Sequence, residues 1–178
     1  SMPLQSLITI FGAGIGGLTL GQCLRSKGIP SILYEKVSAS EKRHSYGITL
    51  HPSSSERLSD LLGLDSQTLR QQIAVDRLYL DGIGQLQSQG TKTSAQDPPG
   101  SFRANRARLE ELLRRGLNIK FDHPIERTLQ NGQLTDPSHL IVDALGVHSN
   151  LRLSFLPNST PTVLPYVVFN GRRRISLT

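Results

Sequence analysis

The sequence has little of several things, and each shortage removes a class of function. It carries one cysteine, one methionine and no tryptophan in 178 residues. A single cysteine excludes an intrachain disulfide. Cys23 falls inside a helical pattern and reads as a small buried apolar residue, in keeping with a reducing compartment. No apolar run approaches the ~20 residues of a membrane-crossing helix. The first residues lack the charged and apolar regions of a secretory signal, so the expected location is the cytosol. Without tryptophan there is no indole platform for bases. The arginine-rich stretches, Arg103 to Arg115 and Arg172-Arg173-Arg174, are not interleaved with aromatics in the manner of a single-strand binder. No nucleic acid is therefore expected as partner. His44, His51, His123 and His139 are scattered without metal-ligand spacing, so no metal site is expected. His148 and Ser149 are adjacent, but nothing supplies the third member of a hydrolytic triad, which is recognised by geometry.

What is present is an ordinary globular composition, 37% hydrophobic, with a formal charge of +6. This length supports one domain with a core. The positive excess suits an anionic ligand. Arg172-Arg173-Arg174 reads as a charged edge that blocks strand pairing, in preference to the lining of a substrate entrance.

Residues 7–11 read as a buried parallel strand. Residues 15–27 read as a helix with Leu20, Cys23, Leu24 and Lys27 on one face and Gly28 as its stop. Residues 31–35 form a second strand, 38–46 a polar, basic loop, and Gly47-Ile48-Thr49-Leu50-His51 a short extended piece. Ser53-Ser54-Ser55-Glu56 has capping-box spacing. It introduces Leu58, Leu61 and Leu62 on a helical face that ends at Gly63. Residues 75–88 suggest a hairpin turning at Asp81-Gly82, and 91–100 a linker. Arg106 opens a helix with Leu109, Leu112, Leu113 and Leu117 as its inward stripe. Residues 118–121 read as a strand and 125–134 as a hairpin around Asn131-Gly132. Residues 139–145 read as another buried strand ending at Gly146. The tail suggests a strand over 163–169, a turn at Asn170-Gly171 and a basic strand.

The strongest local signal is the succession of strand, Gly12-Ala13-Gly14-Ile15-Gly16-Gly17, helix, strand and Glu35. In the spacing Gly12-x-Gly14-x-x-Gly17, the first glycine permits the turn out of the strand. The second removes a side chain where a pyrophosphate approaches, and the third lets helix and strand pack closely. The phosphates then face the unpaired N–H groups and positive dipole of the helix start. Glu35 is placed to accept hydrogen bonds from ribose hydroxyls, and it disfavours a 2′-phosphate. The motif specifies an adenine dinucleotide without choosing between FAD and NAD.

The run from Gly12 to Leu20, together with Tyr34-Glu35-Lys36, resembles the N-terminus of the FAD-dependent aromatic hydroxylases. These are the single-component flavoprotein monooxygenases related to para-hydroxybenzoate hydroxylase. Three further stretches resemble the family in the same order: Gly47 to His51, Phe102 to Leu109, and Asp143 to Arg152. The resemblance implies a Rossmann-like α/β fold, a mostly parallel sheet with helices on both faces plus antiparallel hairpin excursions, as one FAD-binding domain over 1–178. It implies FAD contacts from Gly12, Ala13, Gly14, Ile15, Gly16, Gly17, Glu35, Lys36, Arg43, Arg106, Asp143 and Gly146, with Arg43 on a loosely aligned loop. The family's second fingerprint has an aspartate before its glycine; here Leu145 stands before Gly146, and Asp143 is the nearest acid. Asp143 reads equally as a ribose or backbone ligand and as a structural carboxylate held by turn amides. A later Gly-Asp fingerprint of the family is not found, so the chain reads as shortened or partial.

The implied activity is an FAD-dependent monooxygenase, or its FAD-binding portion. NAD(P)H would be the donor, and oxygen and a small aromatic or polyketide-like molecule the substrates. No catalytic side chain is named, because the flavin carries the chemistry. A non-catalytic FAD- or nucleotide-binding domain working with a partner is the alternative. An NAD-dependent dehydrogenase is a third reading.

Overall fold

A computed structural model describes residues 7–41, 46–77, 82–84, 98–127, 129–130, 133–134, 140–159 and 161–166. The chain runs β1 (Ile8–Phe11), α1 (Ile15–Ser26), β2 (Ser31–Tyr34), β3 (Gly47–Leu50), α2 (Pro52–Leu62), α3 (Ser66–Ile73), β4 (Phe102–Asn105), α4 (Arg106–Arg114), β5 (Ile119–Lys120), a 3-10 turn (Ile125–Arg127), β6 (Leu129–Gln130), β7 (Gln133–Leu134), β8 (Leu140–Asp143) and α5 (Asn150–Phe155). No helix among the described residues is long and apolar enough to cross a membrane.

The centre is a four-stranded sheet of order β5-β2-β1-β8. Its three pairings are all parallel, as the expected α/β fold requires. Side chains alternate across a strand, so each strand feeds two layers. Ile8, Ile10, Leu33 and Val142 belong to the main core, shared with α1, α4 and the β3–β4 unit. Phe11, Tyr34 and Ile141 belong to a smaller cluster closed by Ile125 of the 3-10 turn and Leu151 of α5. Helical elements thus lie on both faces. Each fully buried Leu, Ile or Phe is worth ~1.5–3 kcal/mol. Thirteen buried residues form the first cluster and three the second, so the α1–α4 face dominates stability.

The antiparallel parts are β3 with β4 and β6 with β7. The first is not a hairpin: α2 and α3 lie between its strands. Within the expected hairpin at 75–88, residues 75–77 form a turn and 82–84 carry no strand. Asp81 lies outside the described residues. In the tail, 163–166 carry no strand, and Asn170-Gly171 and the arginine triplet lie outside the described residues.

Several local expectations need correction. The fully buried residues of α1 are Gly17, Leu18, Gly21 and Gln22; of the face expected from the sequence, Leu20 and Leu24 pack half-buried against the core, while Cys23 and Lys27 are exposed. A Cβ on Gly21 would lie 3.0 Å from Leu117 and 3.2 Å from Leu33. The helix therefore packs through a glycine stripe that hydropathy does not register. Gln22 completes the contact by donating to the carbonyls of Leu113 (2.7 Å) and Arg115 (2.8 Å). Cys23 is consequently exposed.

The capping box at Ser53 does not form. His51 is the cap residue of α2, its side chain makes no capping bond to the helix, and Pro52 occupies the first turn, where its missing N–H has no partner to lose. The β8 strand is not fully buried: Leu140 is exposed and Val142 half-buried, because the strand order puts β8 at the sheet edge. Helix α3 has no counterpart in the sequence reading. Asp65 caps it, accepting from the Thr68 N–H at 2.8 Å, and Leu69 and Ile73 anchor it in the core.

Candidate functional site

The carboxyl ends of β1, β2 and β8 open onto one cleft of about 940 Å3. This is where ligands sit in parallel α/β sheets. It is lined by Gly12, Gly14, Ile15, Gly16, Tyr34, Glu35, Lys36, Arg106, His123, Asp143, Gly146, His148 and Arg152, among others. Of the residues expected from the sequence, nine therefore reach the cleft wall. Ala13 and Gly17 are buried behind it. Arg43 lies outside the described residues.

The glycines divide into two kinds. Gly12 has φ +101°, and a Cβ there would lie 2.5 Å from the Ala144 carbonyl oxygen. A Cβ on Gly17 would lie 2.0 Å from the Gly12 carbonyl oxygen. These two allow the turn and the helix to approach the strands. A Cβ on Gly14 or Gly16 would meet nothing within 4 Å. Gly14 is the cap residue of α1, and no side chain caps the helix. The first N–H groups of a helix have no intrahelical partner, and here they lie at a cleft wall kept clear of side chains.

Glu35 is nearly buried, at 4% exposure. One carboxylate oxygen accepts from the Ala13 N–H at 2.9 Å and the other from the Val37 N–H at 3.1 Å. The acid thus holds the glycine turn to the end of β2 while still lining the cleft. Its neighbour Lys36 is exposed at the same rim. Behind them Tyr34 stacks on Phe11, with centroids 5.5 Å apart, and His123 leans on Tyr34 at 4.4 Å.

Arg106 enters from the start of α4. Its Nε donates to Glu110 at 3.0 Å and its Nη1 to the Tyr46 hydroxyl at 2.6 Å. The guanidinium is thereby held in place at the cleft wall rather than free in solvent.

After β8, Gly146 makes the turn with φ +82° and open space at its Cβ position. Asp143 accepts from the Leu145 N–H at 3.0 Å and from the Ser149 hydroxyl. In this arrangement it organises the turn, one of the two roles that the sequence leaves open for it. Ser149, 1% exposed, is also the cap of α5, accepting from the Arg152 N–H at 2.9 Å. Its environment is that of a cap, not of a nucleophile. Leu145 packs against the Phe11–Ile125–Leu151 cluster, which accounts for an apolar residue there.

Tyr34, His123, His148 and Arg152 line the cleft without having been singled out as site residues. Arg152 donates through Nη2 to the Val147 carbonyl at 2.9 Å, while its Nε is buried with no hydrogen-bond partner. Its place in the Asp143–Arg152 stretch was a usable signal. His123 had none, since it reaches the cleft only through the return of the chain after β5. No group of acids, histidines or cysteines suited to a metal occurs among the described residues.

No family model matches the chain. It is similar to the FAD-dependent monooxygenase adaC of Aspergillus niger, 30% identical over 188 residues, 92% of this chain and 45% of that protein. It is likewise similar to the FAD-dependent monooxygenase vrtH of Penicillium aethiopicum, 28% identical over 193 residues, 95% of this chain and 46% of that protein. Among solved structures, a putative FAD-containing monooxygenase from Photorhabdus luminescens shares the fold. Its TM-score is 0.55 at 24% identity, over 86% of this chain and 43% of that one. CtdE, solved with FAD and a substrate, gives a TM-score of 0.61 at 16% identity, over 84% and 40%. These findings bear out the resemblance to the flavin monooxygenases. The chain spans about half the length of the curated relatives it matches.

Proposed function

We propose that the cleft binds FAD and that the protein is the FAD-binding part of a flavin-dependent monooxygenase. The observation that carries this reading is the uncapped start of α1, with Gly14 and Gly16 clear of neighbours, beside the buried Glu35. A dinucleotide pyrophosphate suits that helix start, where N–H groups and the dipole favour an anion. Glu35 fixes the turn through Ala13 and Val37 and presents a carboxylate edge to a ribose. Arg106, Arg152 and Lys36 offset the charge of the phosphates from around the rim. The names of the curated relatives support FAD over NAD.

When bound, FAD would supply the redox chemistry, accepting a hydride from NAD(P)H and activating oxygen toward a small organic substrate of aromatic or polyketide type. The residues described here bind and orient; none is assigned to proton transfer. The proposed setting is the reducing cytosol, which suits an exposed lone thiol.

A second reading, a non-catalytic FAD-binding domain acting with a partner, is favoured by the apolar packing of Leu145 where the family's aspartate is expected. The absorption spectrum of the purified protein separates these. Oxidised-flavin bands that bleach with NADH or NADPH, with oxygen uptake, are expected for the monooxygenase. Flavin bands that NAD(P)H leaves unchanged favour the second reading. A colourless protein that takes up no added FAD would overturn both.

A further inference from the structure

Helix α4 begins with an arrangement that helix stability does not favour. Arg106 is its first residue, and a cation there opposes the helix dipole. Its partner Glu110 follows one turn later, and cation before acid is the weaker order for such a pair. Glu110 is also only 3% exposed, so its carboxylate gives up most of its hydration. The helix start does not need the pair, because Asn105 already caps it, accepting from the Arg108 N–H at 3.2 Å. Local rules broken together beside a candidate site point to a task at that site.

The task is legible in how the guanidinium is held. Glu110 accepts from Nε at 3.0 Å. Tyr46 adds three contacts. Its carbonyl accepts from the Arg106 N–H at 3.0 Å, its hydroxyl accepts from Nη1 at 2.6 Å, and its ring centroid lies 5.2 Å from Cζ. Nη2 makes no hydrogen bond among the described residues and is left for the cleft that Arg106 lines. An arginine side chain loses much rotamer freedom when it is ordered. Ordering it before a ligand arrives removes that cost from binding. The acid also acts in the opposite sense, since its charge weakens the pull of Arg106 on an anion at a distance.

We infer that Glu110 and Tyr46 are positioning residues that fix Arg106 as a preset donor for the bound dinucleotide, Glu110 giving up part of the cleft's positive charge for a fixed orientation. The inference deepens the FAD reading and rests on it for the identity of the ligand.

The test has two readouts on the full chain. One is FAD affinity by fluorescence titration. The other is the Nε–H signal of Arg106 in a nitrogen–proton correlation spectrum of the flavin-free chain, assigned by its loss in Arg106→Lys. Glu110→Ala should weaken FAD binding about tenfold, although it makes the cleft more positive. Glu110→Gln keeps an acceptor for Nε and removes the charge. It should bind FAD at least as tightly as the parent chain, with a steeper loss of affinity as salt is added. A merely structural role would lower the affinity of both. Tyr46→Phe, a change at an exposed residue that keeps the ring, should weaken binding about threefold. In an Arg106→Ala background, Glu110→Ala should have no further effect on affinity. The Nε–H signal should be sharp and slow to exchange in the parent chain and in Glu110→Gln, and lost to exchange in Glu110→Ala. An equal loss of affinity in Glu110→Gln and Glu110→Ala overturns the inference, as does an Nε–H signal that survives Glu110→Ala. A parent chain that takes up no FAD fails the flavin reading alone; the Nε–H signal, read without flavin, still decides whether Glu110 fixes the guanidinium.

Discussion

Two helix starts face the same cleft and are completed differently. Helix α5 is closed by its own chain: Ser149 accepts from the Arg152 N–H and donates to Asp143. Helix α1 is left open: Gly14 caps it with no side chain, and nothing lies within 4 Å of where one would be. Helices α3 and α4 follow the α5 pattern, with Asp65 and Asn105 accepting from N–H groups three residues on. A self-capped start has spent its best donors within the fold. An open start in a concave wall keeps them for an anion. The difference separates the part of the cleft that holds a ligand from the part that holds the cleft together.

The largest effect is expected at Gly17, where the open start depends on packing. Gly17→Ala drives a Cβ to 2.0 Å from the Gly12 carbonyl oxygen, and backbone cannot give way as a side chain can. A loss of roughly 3 kcal/mol or more is expected, about 10 °C in melting temperature. Thermal denaturation of the apoprotein checks it. An unchanged melting point would show that helix and strand are not as close as described.

Gly14→Asp should do the opposite. Its side chain has room, and aspartate is a better cap than glycine by a few tenths of a kcal/mol, so the apoprotein should melt at or slightly above the parent temperature. FAD affinity should fall by about a hundredfold, ~2.7 kcal/mol, because a carboxylate would occupy the anion's place. Flavin titration by fluorescence checks this; undiminished binding would remove α1 from the site. The matching change at the closed helix is Ser149→Ala. It removes the cap of α5 and should lower stability by ~1 kcal/mol, with FAD affinity changed less than about threefold. A loss of affinity as large as that of Gly14→Asp would end the distinction between the two starts.

The open start was legible in the sequence because its signals are local. The strand Leu7–Phe11, the Gly12-x-Gly14-x-x-Gly17 spacing and Glu35 lie within thirty residues, and each acts on its neighbours. What escaped depends on distant chain or on residues without hydropathy. The buried face of α1 runs through Gly17 and Gly21, and glycine adds nothing to an apolar pattern, so the pattern points to the neighbouring face, where Cys23 is exposed and Leu24 only half-buried. The exposure of β8 follows from strand order, which no window of sequence contains. In α3, Leu69 and Ile73 are the only buried residues of eight, too few to declare a period, although Asp65 and Thr68 stood at capping distance. Leu145 looked like a lost acid because its partners Phe11, Ile125 and Leu151 come from three separate segments.

The smallest effect concerns a helix start that carries its own anion. The Thr68 hydroxyl and then the Thr68 N–H hold the exposed Asp65 carboxyl below its ordinary value of 3.8. A carboxyl depressed in the folded state adds stability that is present above its unfolded pKa and is lost as pH falls through the lower folded value. Asp65→Asn keeps a capping oxygen but removes the charge. The parent chain should therefore melt slightly higher than this variant from neutrality down to the ordinary aspartate range, and the gap should close below it. Parallel melting curves across acid pH read the effect. A gap that persists in strong acid would mean that hydrogen bonding alone, and not the negative charge, stabilises the start of α3. The case for an anion on α1 would then rest on its open N–H groups without the help of the helix dipole.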